Sequence, residues 1–351
     1  MGTEEKSILR FMLRAFLVVG AAALPLVAWY LWADPYKVLR HYECYLPDPV
    51  SNPVRVGINK GMVTFANYLD RKAEGRNYNA FIFGSSVSCL YDADEWAALA
   101  DSTGGAHPYH FDSSGETLLS LADKVEYLGS HNQPVDYAFV VLDPLIMAND
   151  KASGPALVSA PQLHKSLRER ISYHYTFFRA ATNADFFKSW IPFKLTGGKY
   201  ANGRNLVFEP QPIVYDPVTN QETLPQWDSL IVNDPGKFYG EYPLDAWPDK
   251  DTEMAPVLTA PKADALRRVA AVFDRLHTDY HIIIGPNRRR ETLNLADLRL
   301  MQQIFSSERV HDFSASMNSG LECDTLLYDN VHYRRPFASM LMRLVYQSVL
   351  R

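Results

Sequence analysis

Three stretches far apart in the chain carry residue types suited to ester chemistry: Phe83-Gly84-Ser85-Ser86, Ser113-Ser114-Gly115 and Asp329-Asn330-Val331-His332. A serine hydroxyl is a weak nucleophile until a base takes its proton. Ser86 supplies the hydroxyl and His332 the base. Asp329, in the same short stretch, supplies the carboxylate that orients the imidazole and stabilises its charged form. Gly84 suits the tight turn after a strand that would present such a serine. Ser85 is the alternative nucleophile, and Ser88 a more distant one. The Ser86 and Gly115 backbone N–H groups are candidate donors to a developing oxyanion, with Asn287 as a further one. The motif Asp-x-x-His also occurs at Asp274–His277, where a solvated helix face accounts for it more simply.

The elements that must position these residues follow from the apolar rhythm. Tyr78–Phe83 reads as a buried strand that stops at Gly84, and a helical stretch opens at Asp92. Pro108–Phe111, Ala138–Leu142, His281–Gly285 and Val310–Phe313 read as further strands. Leu118–Leu128, Pro261–His277, Leu293–Phe305 and Pro336–Leu350 read as helices. Ala138–Leu142 is nearly all apolar, as expected of a parallel strand covered on both faces. The alternation predicts an α/β fold with a parallel sheet between helical layers. In such sheets a ligand sits beyond the carboxyl ends of the strands. Ser86, Gly115, Asp143, Asn287 and the Asp329 stretch all follow a strand or lie in the final loop. Residues 150–260 break the rhythm with Pro-rich and aromatic-rich loops, and read as a cap or insertion.

A chain of 351 residues, 47% of them hydrophobic, can bury a full core as one large domain or one domain with an insertion. The net charge is −5, with no dense basic block besides Arg288-Arg289-Arg290, which argues against a nucleic-acid partner. That arginine run reads as a solvated charge run, or as an attractor for an anionic polymer. Ala15–Ala33 is uncharged and about long enough to cross a bilayer. Trp29, Tyr30 and Trp32 sit at its outer end, where interfacial aromatics belong. Lys6, Arg10 and Arg14 precede it. The expected order is therefore a cytoplasmic N-terminus over 1–14, a transmembrane anchor over 15–33, a stalk and lead-in helix over 34–75, and an extracytoplasmic domain over 76–351. Leu31 disfavours a cleaved signal peptide, because a small residue is wanted there. Three cysteines, Cys44, Cys89 and Cys323, permit at most one internal disulfide, with Cys44–Cys323 as one pairing. The chain has no C-x-x-C or H-E-x-x-H, and the spacing of His107 and His110 suits a turn, so no metal or cofactor is expected.

Taken together the blocks resemble the SGNH/GDSL hydrolase superfamily. More narrowly they resemble its membrane-anchored extracytoplasmic branch, which includes the D-alanyl-lipoteichoic acid transfer protein and alginate O-acetylation proteins. Gly84-Ser85-Ser86 matches the first block, with Ser85 where many members have Asp. Ser114-Gly115 resembles the second block, and Asp329-x-x-His332, followed by Tyr333, matches the last. The match runs from residue 80 to the end and leaves 150–260 unmatched. The resemblance implies a three-layer flavodoxin-like sheet with Ser86, His332 and Asp329 as a triad. It implies transfer or hydrolysis of O-acyl groups, often acetyl, on a cell-envelope glycopolymer. It also implies a membrane-bound O-acyltransferase as partner, and no cofactor. The third block departs from the pattern. Leu142-Asp143-Pro144 stands where many members place an Asn, so one oxyanion donor is missing. This keeps open a catalytically inactive subunit that binds or assembles a polysaccharide-modification complex. Asp143 and Arg288 stand as weak candidates for contacting substrate.

Overall fold

The computed structural model describes residues 3–43, 45, 59–150, 154–196, 213–315 and 323–349. Five strands form the central sheet: β1 (Ala80–Gly84), β2 (Pro108–Asp112), β3 (Tyr137–Leu142), β4 (Asp279–Ile284) and β5 (Val310–Asp312). All neighbours run parallel, in the order β2-β1-β3-β4-β5. The chain leaves β1 towards one edge and then returns to build the other half. The loops after β1 and β3 therefore diverge and leave a crevice at their carboxyl ends.

The longer helices are α1 (Thr3–Ala33), α2 (Lys60–Ala73), α3 (Ala93–Ala100), α4 (Leu118–Ser130), α5 (Leu167–Ala181), α6 (Ala184–Leu195), α7 (Ala260–Leu276), α8 (Leu295–Phe305) and α9 (Arg335–Val349). Strand side chains alternate between two apolar layers. Phe81, Phe83, Val140, Ile282 and Ile284 face α2, α4, α7 and α8. Ile82, Phe139, Val141 and Ile283 face α3 and α9. Each layer needs helices that start on time, and side-chain caps supply the start. Asn59 accepts from Met62 N–H, Asp92 from Glu95 N–H and Thr117 from Ser120 N–H.

The five strands and their flanking helices lie close to where the apolar rhythm predicts them. Two regions differ. α2 is part of the domain core and not a lead-in: Phe65 and Tyr68 are buried with Phe81 and Phe111. The stretch 150–260 holds more regular structure than its aromatic loops suggest. It contains α5, α6, a hairpin of Val214–Asp216 with Gln221–Thr223, and short helices over Pro225–Asn233 and Pro235–Glu241. A capping box at Ser166 and Glu169 starts α5, and its aromatics pack on one another instead of lining loops.

α1 is one continuous helix whose end is capped by the Arg40 guanidinium, donating to the carbonyls of Leu31 (2.5 Å) and Trp32 (2.7 Å). Among the described residues no helix is long and apolar enough to cross a membrane. Several α1 side chains fall outside the described residues. Cys44 also lies outside them, and Cys323 is an exposed thiol.

One buried pair sets a pH dependence for the fold. His281 on β4 and His311 on β5 share a 3.0 Å Nδ1–Nε2 contact beside Tyr346. Burial, and then His311 itself, push the His281 imidazole down to about 4, against weaker pull from Asp279. An unfolded histidine titrates near ~6.5. Between these values the unfolded chain binds a proton that the folded state refuses, so stability falls as pH falls through that window. Thermal melts between pH 7 and pH 4 should show His281→Gln losing part of this slope, a difference on the order of a few degrees at the acid end.

Candidate functional site

The site begins with a turn that only glycine fits. Gly84 closes β1 at φ +156°, and a Cβ there would lie 2.6 Å from the backbone oxygen of Val141 and 2.7 Å from Ser88 Cβ. With no side chain at 84, β1 passes close to β3 before the chain turns. The turn that follows sorts its serines. Ser85 is buried, and its Oγ accepts from Val87 N–H at 3.3 Å. Ser88 is also buried. Its hydroxyl donates to Ser85 O at 2.7 Å and meets His110 Nε2 at 3.1 Å. Ser86 alone of the three is turned towards His332.

Ser86 Oγ lies 2.9 Å from His332 Nε2, and His332 Nδ1 lies 2.8 Å from Asp329 Oδ2 and 3.0 Å from Oδ1. With the carboxylate against Nδ1, the proton on that nitrogen donates to Asp329 and Nε2 is left to accept from Ser86. Asp329 Oδ1 also accepts from the backbone N–H groups of His332 (2.7 Å) and Val331 (2.8 Å). Burial raises its carboxyl, but the His332 hydrogen bond and charge, helped by the two backbone donors, hold it below the usual carboxylate range. Asp329 therefore stays ionised where a positive imidazole needs it. The arrangement can move the serine proton to His332 and stabilise the resulting charge.

The histidine loop is fixed from several sides. Leu327 and Tyr333 form an antiparallel bridge, and Tyr328 N–H donates to His332 O at 2.8 Å. Tyr333, next to the histidine, meets Tyr91 through their hydroxyls at 2.7 Å. Tyr91 follows the serine turn, so this buried contact ties the exits of both site loops together. The 213–258 part of the insertion clamps the outside. Asp228 accepts from Tyr328 Oη (2.8 Å) and Arg334 Nε (2.7 Å), and Tyr239 Oη donates to Leu327 O (2.8 Å). Asp245 N–H donates to Asn330 Oδ1 at 2.9 Å.

For an oxyanion, the Ser86 backbone N–H makes no hydrogen bond among the described residues and is available as a donor. Three-residue 3-10 geometry over Ser88–Leu90 follows it, and α3 starts only at Ala93. Ser86 therefore sits in a local turn, with no α-helix N-terminus directly beside it. Gly115 sits at φ +59° in the loop after β2, beneath the Leu157 side chain. Ser113 N–H donates to Gly84 O at 3.2 Å, so that loop starts against the serine turn. Lys124, fully buried, secures the same loop through an ion pair with Glu116 and hydrogen bonds to Ser113 Oγ (2.7 Å) and Phe111 O (3.1 Å).

Asn287 is a correction. Its amide donates to Glu291 O at 2.9 Å and accepts from Glu291 N–H, which spends it on a local turn. Arg288 is another. It is buried, stacked 4.3 Å over the Trp247 ring, and bonded to Asp324 Oδ1 (2.6 Å) and Asp245 O (2.5 Å). With Arg290, which pairs with Asp251 at 2.7 Å, it straps the insertion down, so of the arginine run only Arg289 is exposed, and the Arg288 guanidinium is engaged within the protein. Asp143 is buried at the end of β3, near Tyr333. Its burial keeps it from acting as an open substrate contact. Among the described residues, no group of three or more His, Cys, Asp or Glu is placed to hold a metal. His110 is spent on Ser88, while His107 is exposed. Asp274 and His277 close α7, where His277 takes the left-handed cap.

Sequence reasoning missed Lys124, Asp228 and the tyrosine pair. Lys124 left a signal, a single charge at an apolar position of α4. Asp228 left none, because its partners lie about a hundred residues away. No family model matches this chain, and no match is found among curated proteins.

Two changes test this geometry. Gly84→Ala should cost about 1–3 kcal/mol, since its Cβ meets backbone that cannot step aside. Tyr333→Phe should cost about 1–3 kcal/mol by leaving the buried Tyr91 hydroxyl unpaired. Chemical denaturation of Tyr91→Phe, Tyr333→Phe and the double variant should show the double costing less than the two singles added.

Proposed function

We propose that this chain is a membrane-anchored serine acyltransferase or esterase of the SGNH type, acting on O-acyl groups of a cell-envelope glycopolymer. The contact of Ser86 Oγ with His332 Nε2 at 2.9 Å, with Asp329 on the far side of the ring, carries this reading. The chemistry follows from it. His332 removes the Ser86 proton as the serine attacks an acyl carbonyl. The Ser86 N–H, with the Gly115 N–H as the second donor, faces the oxygen that gains charge. His332 then returns the proton to the leaving group. A sugar hydroxyl or water, deprotonated by the same histidine, releases the acyl group and restores the serine.

Further observations support the class. The β2-β1-β3-β4-β5 order is that of flavodoxin-like sheets, which the resemblance to SGNH/GDSL hydrolases implies. The chain order serine, aspartate, histidine fits the same blocks. The uncharged run Ala15–Ala33 lies within a single helix, which supports an anchor in the cytoplasmic membrane with the domain on its outer, periplasmic side. A membrane-bound O-acyltransferase would then be the donor partner. Asp329 is half-exposed at 51% and His332 reaches 29%, so the histidine side of the site is open to solvent.

The test uses the full chain in detergent with a fluorophosphonate probe and an activated acetyl ester. Wild type should label and release acetate. Ser86→Ala should lose both, while Ser85→Ala keeps both. Asp329→Asn should slow turnover by roughly 10²–10⁴-fold. A folded wild type that neither labels nor turns over would overturn the enzyme and assign the fold to binding or assembly.

A further inference from the structure

The helical hairpin α5–α6 is the part of the insertion that the site does not use. Its inner face is accounted for. Tyr173, Phe177, Phe186 and Phe193 are buried in a cluster with Tyr30 and Tyr36, at and just beyond the end of α1. Its outer face is not. Leu167, Ile171 and Tyr175 recur every four residues along α5 and are 73%, 61% and 61% exposed. On α6 a second ridge runs Phe187, Ile191, Leu195 at the same spacing. It starts on α1, where the Phe187 ring lies 4.6 Å from that of Trp29, and ends with Leu195 82% exposed. The apolar surface of the hairpin is thus continuous with that of α1, where Leu24, Leu31 and Trp32 are also exposed.

The charge on the hairpin is predominantly basic. Arg168, Arg170, Arg179, Lys188 and Lys194 face Glu169 and Asp185 alone, in a chain whose net charge is −5. Glu169 is used in its own capping box and Asp185 pairs with Lys188. Apolar ridges flanked by basic side chains fit the boundary between acyl chains and anionic headgroups.

We propose that α5–α6 lies on the membrane surface, with the Leu167–Tyr175 and Phe187–Leu195 ridges in the headgroup layer of an anionic bilayer. This rests on the reading of α1 as the anchor. It deepens that reading by fixing how the domain stands on the membrane. The segment leading into the hairpin also touches the site. Pro155 and Val158 carbonyls accept from Asn59 Nδ2 (2.9 and 2.7 Å), and Leu157 covers Gly115. Bilayer contact therefore holds the candidate oxyanion loop near the lipid surface, where an acyl donor presented from within the membrane would arrive.

The full chain, with Cys44, Cys89 and Cys323 changed to Ser, is placed in vesicles of phosphatidylcholine and phosphatidylglycerol. A bimane label is attached at Leu24→Cys, Leu195→Cys or Arg343→Cys in turn. Lipids carrying a spin label at a shallow or a deep acyl carbon act as quenchers. The proposal expects the Leu195 label to lose roughly half or more of its emission to the shallow quencher and less to the deep one, because interfacial helices settle at that depth. The Leu24 label should be quenched most by the deep probe, and the Arg343 label, on α9, by neither. Quenching at Leu24 with none at Leu195 overturns the surface hairpin, leaves the anchor standing, and gives the ridges to a protein partner. No quenching at either site overturns the anchor and the hairpin together.

Discussion

The hydrogen bond between Ser86 and His332 joins residues 246 positions apart, and neither end can position the other. Each side is held by its own scaffold. The serine turn is set by the close pass of β1 beside β3 at Gly84, and by Ser88, which is pinned from below by the buried His110. The histidine loop has no strand or helix of its own at His332. It relies on its Asp329 turn, on the Leu327–Tyr333 bridge and on polar contacts from the insertion. The tyrosine contact between the two exits makes these scaffolds one unit. A shift of an ångström on either side would separate base from hydroxyl, so the surrounding contacts serve that single distance.

The same logic explains the edge of the sheet. β2 has β1 on one side only, and an open edge exposes unpaired backbone groups. Here the 214–223 hairpin covers it. His110 N–H donates to Thr219 O at 2.8 Å, and Asn220 Nδ2 donates to His110 O at 2.6 Å. Lys60 adds an ion pair to Glu222 at 3.0 Å with both side chains nearly buried. Buried charges of this kind tolerate no missing partner. They therefore tie α2, β2 and the hairpin into one arrangement beneath the serine turn.

Much of this was legible in the sequence, for local reasons. Strands such as Ala138–Leu142 announce themselves by unbroken apolar runs, and Asp92 stands where a helix begins. Ser86, Asp329 and His332 could be singled out because turn residues and a strand–helix rhythm surround them. What could not be read is set by distant pairing. Arg288 sits in a run of three arginines, yet Trp247 and Asp324 make it a buried strut. Asn287 resembles a free donor until Glu291 is placed against it. α2 resembles a lead-in until Phe65 meets Phe111. In each case one-dimensional spacing gives the residue its chemistry, and the three-dimensional partner decides whether that chemistry is spent.

The exposure of Asp329 and His332 has a consequence for the fate of any acyl group held on Ser86. A site whose Asp329 and His332 side chains are 51% and 29% exposed does not keep water away from its histidine. Release would then be a kinetic competition between water and a sugar hydroxyl for the same acyl carbon, decided by how concentrated the hydroxyl is at that point. Confinement to a surface shared with the acceptor raises that local concentration without any new contact in the site. Under the proposed acyl chemistry, the choice between hydrolase and transferase would belong to geography as much as to the serine.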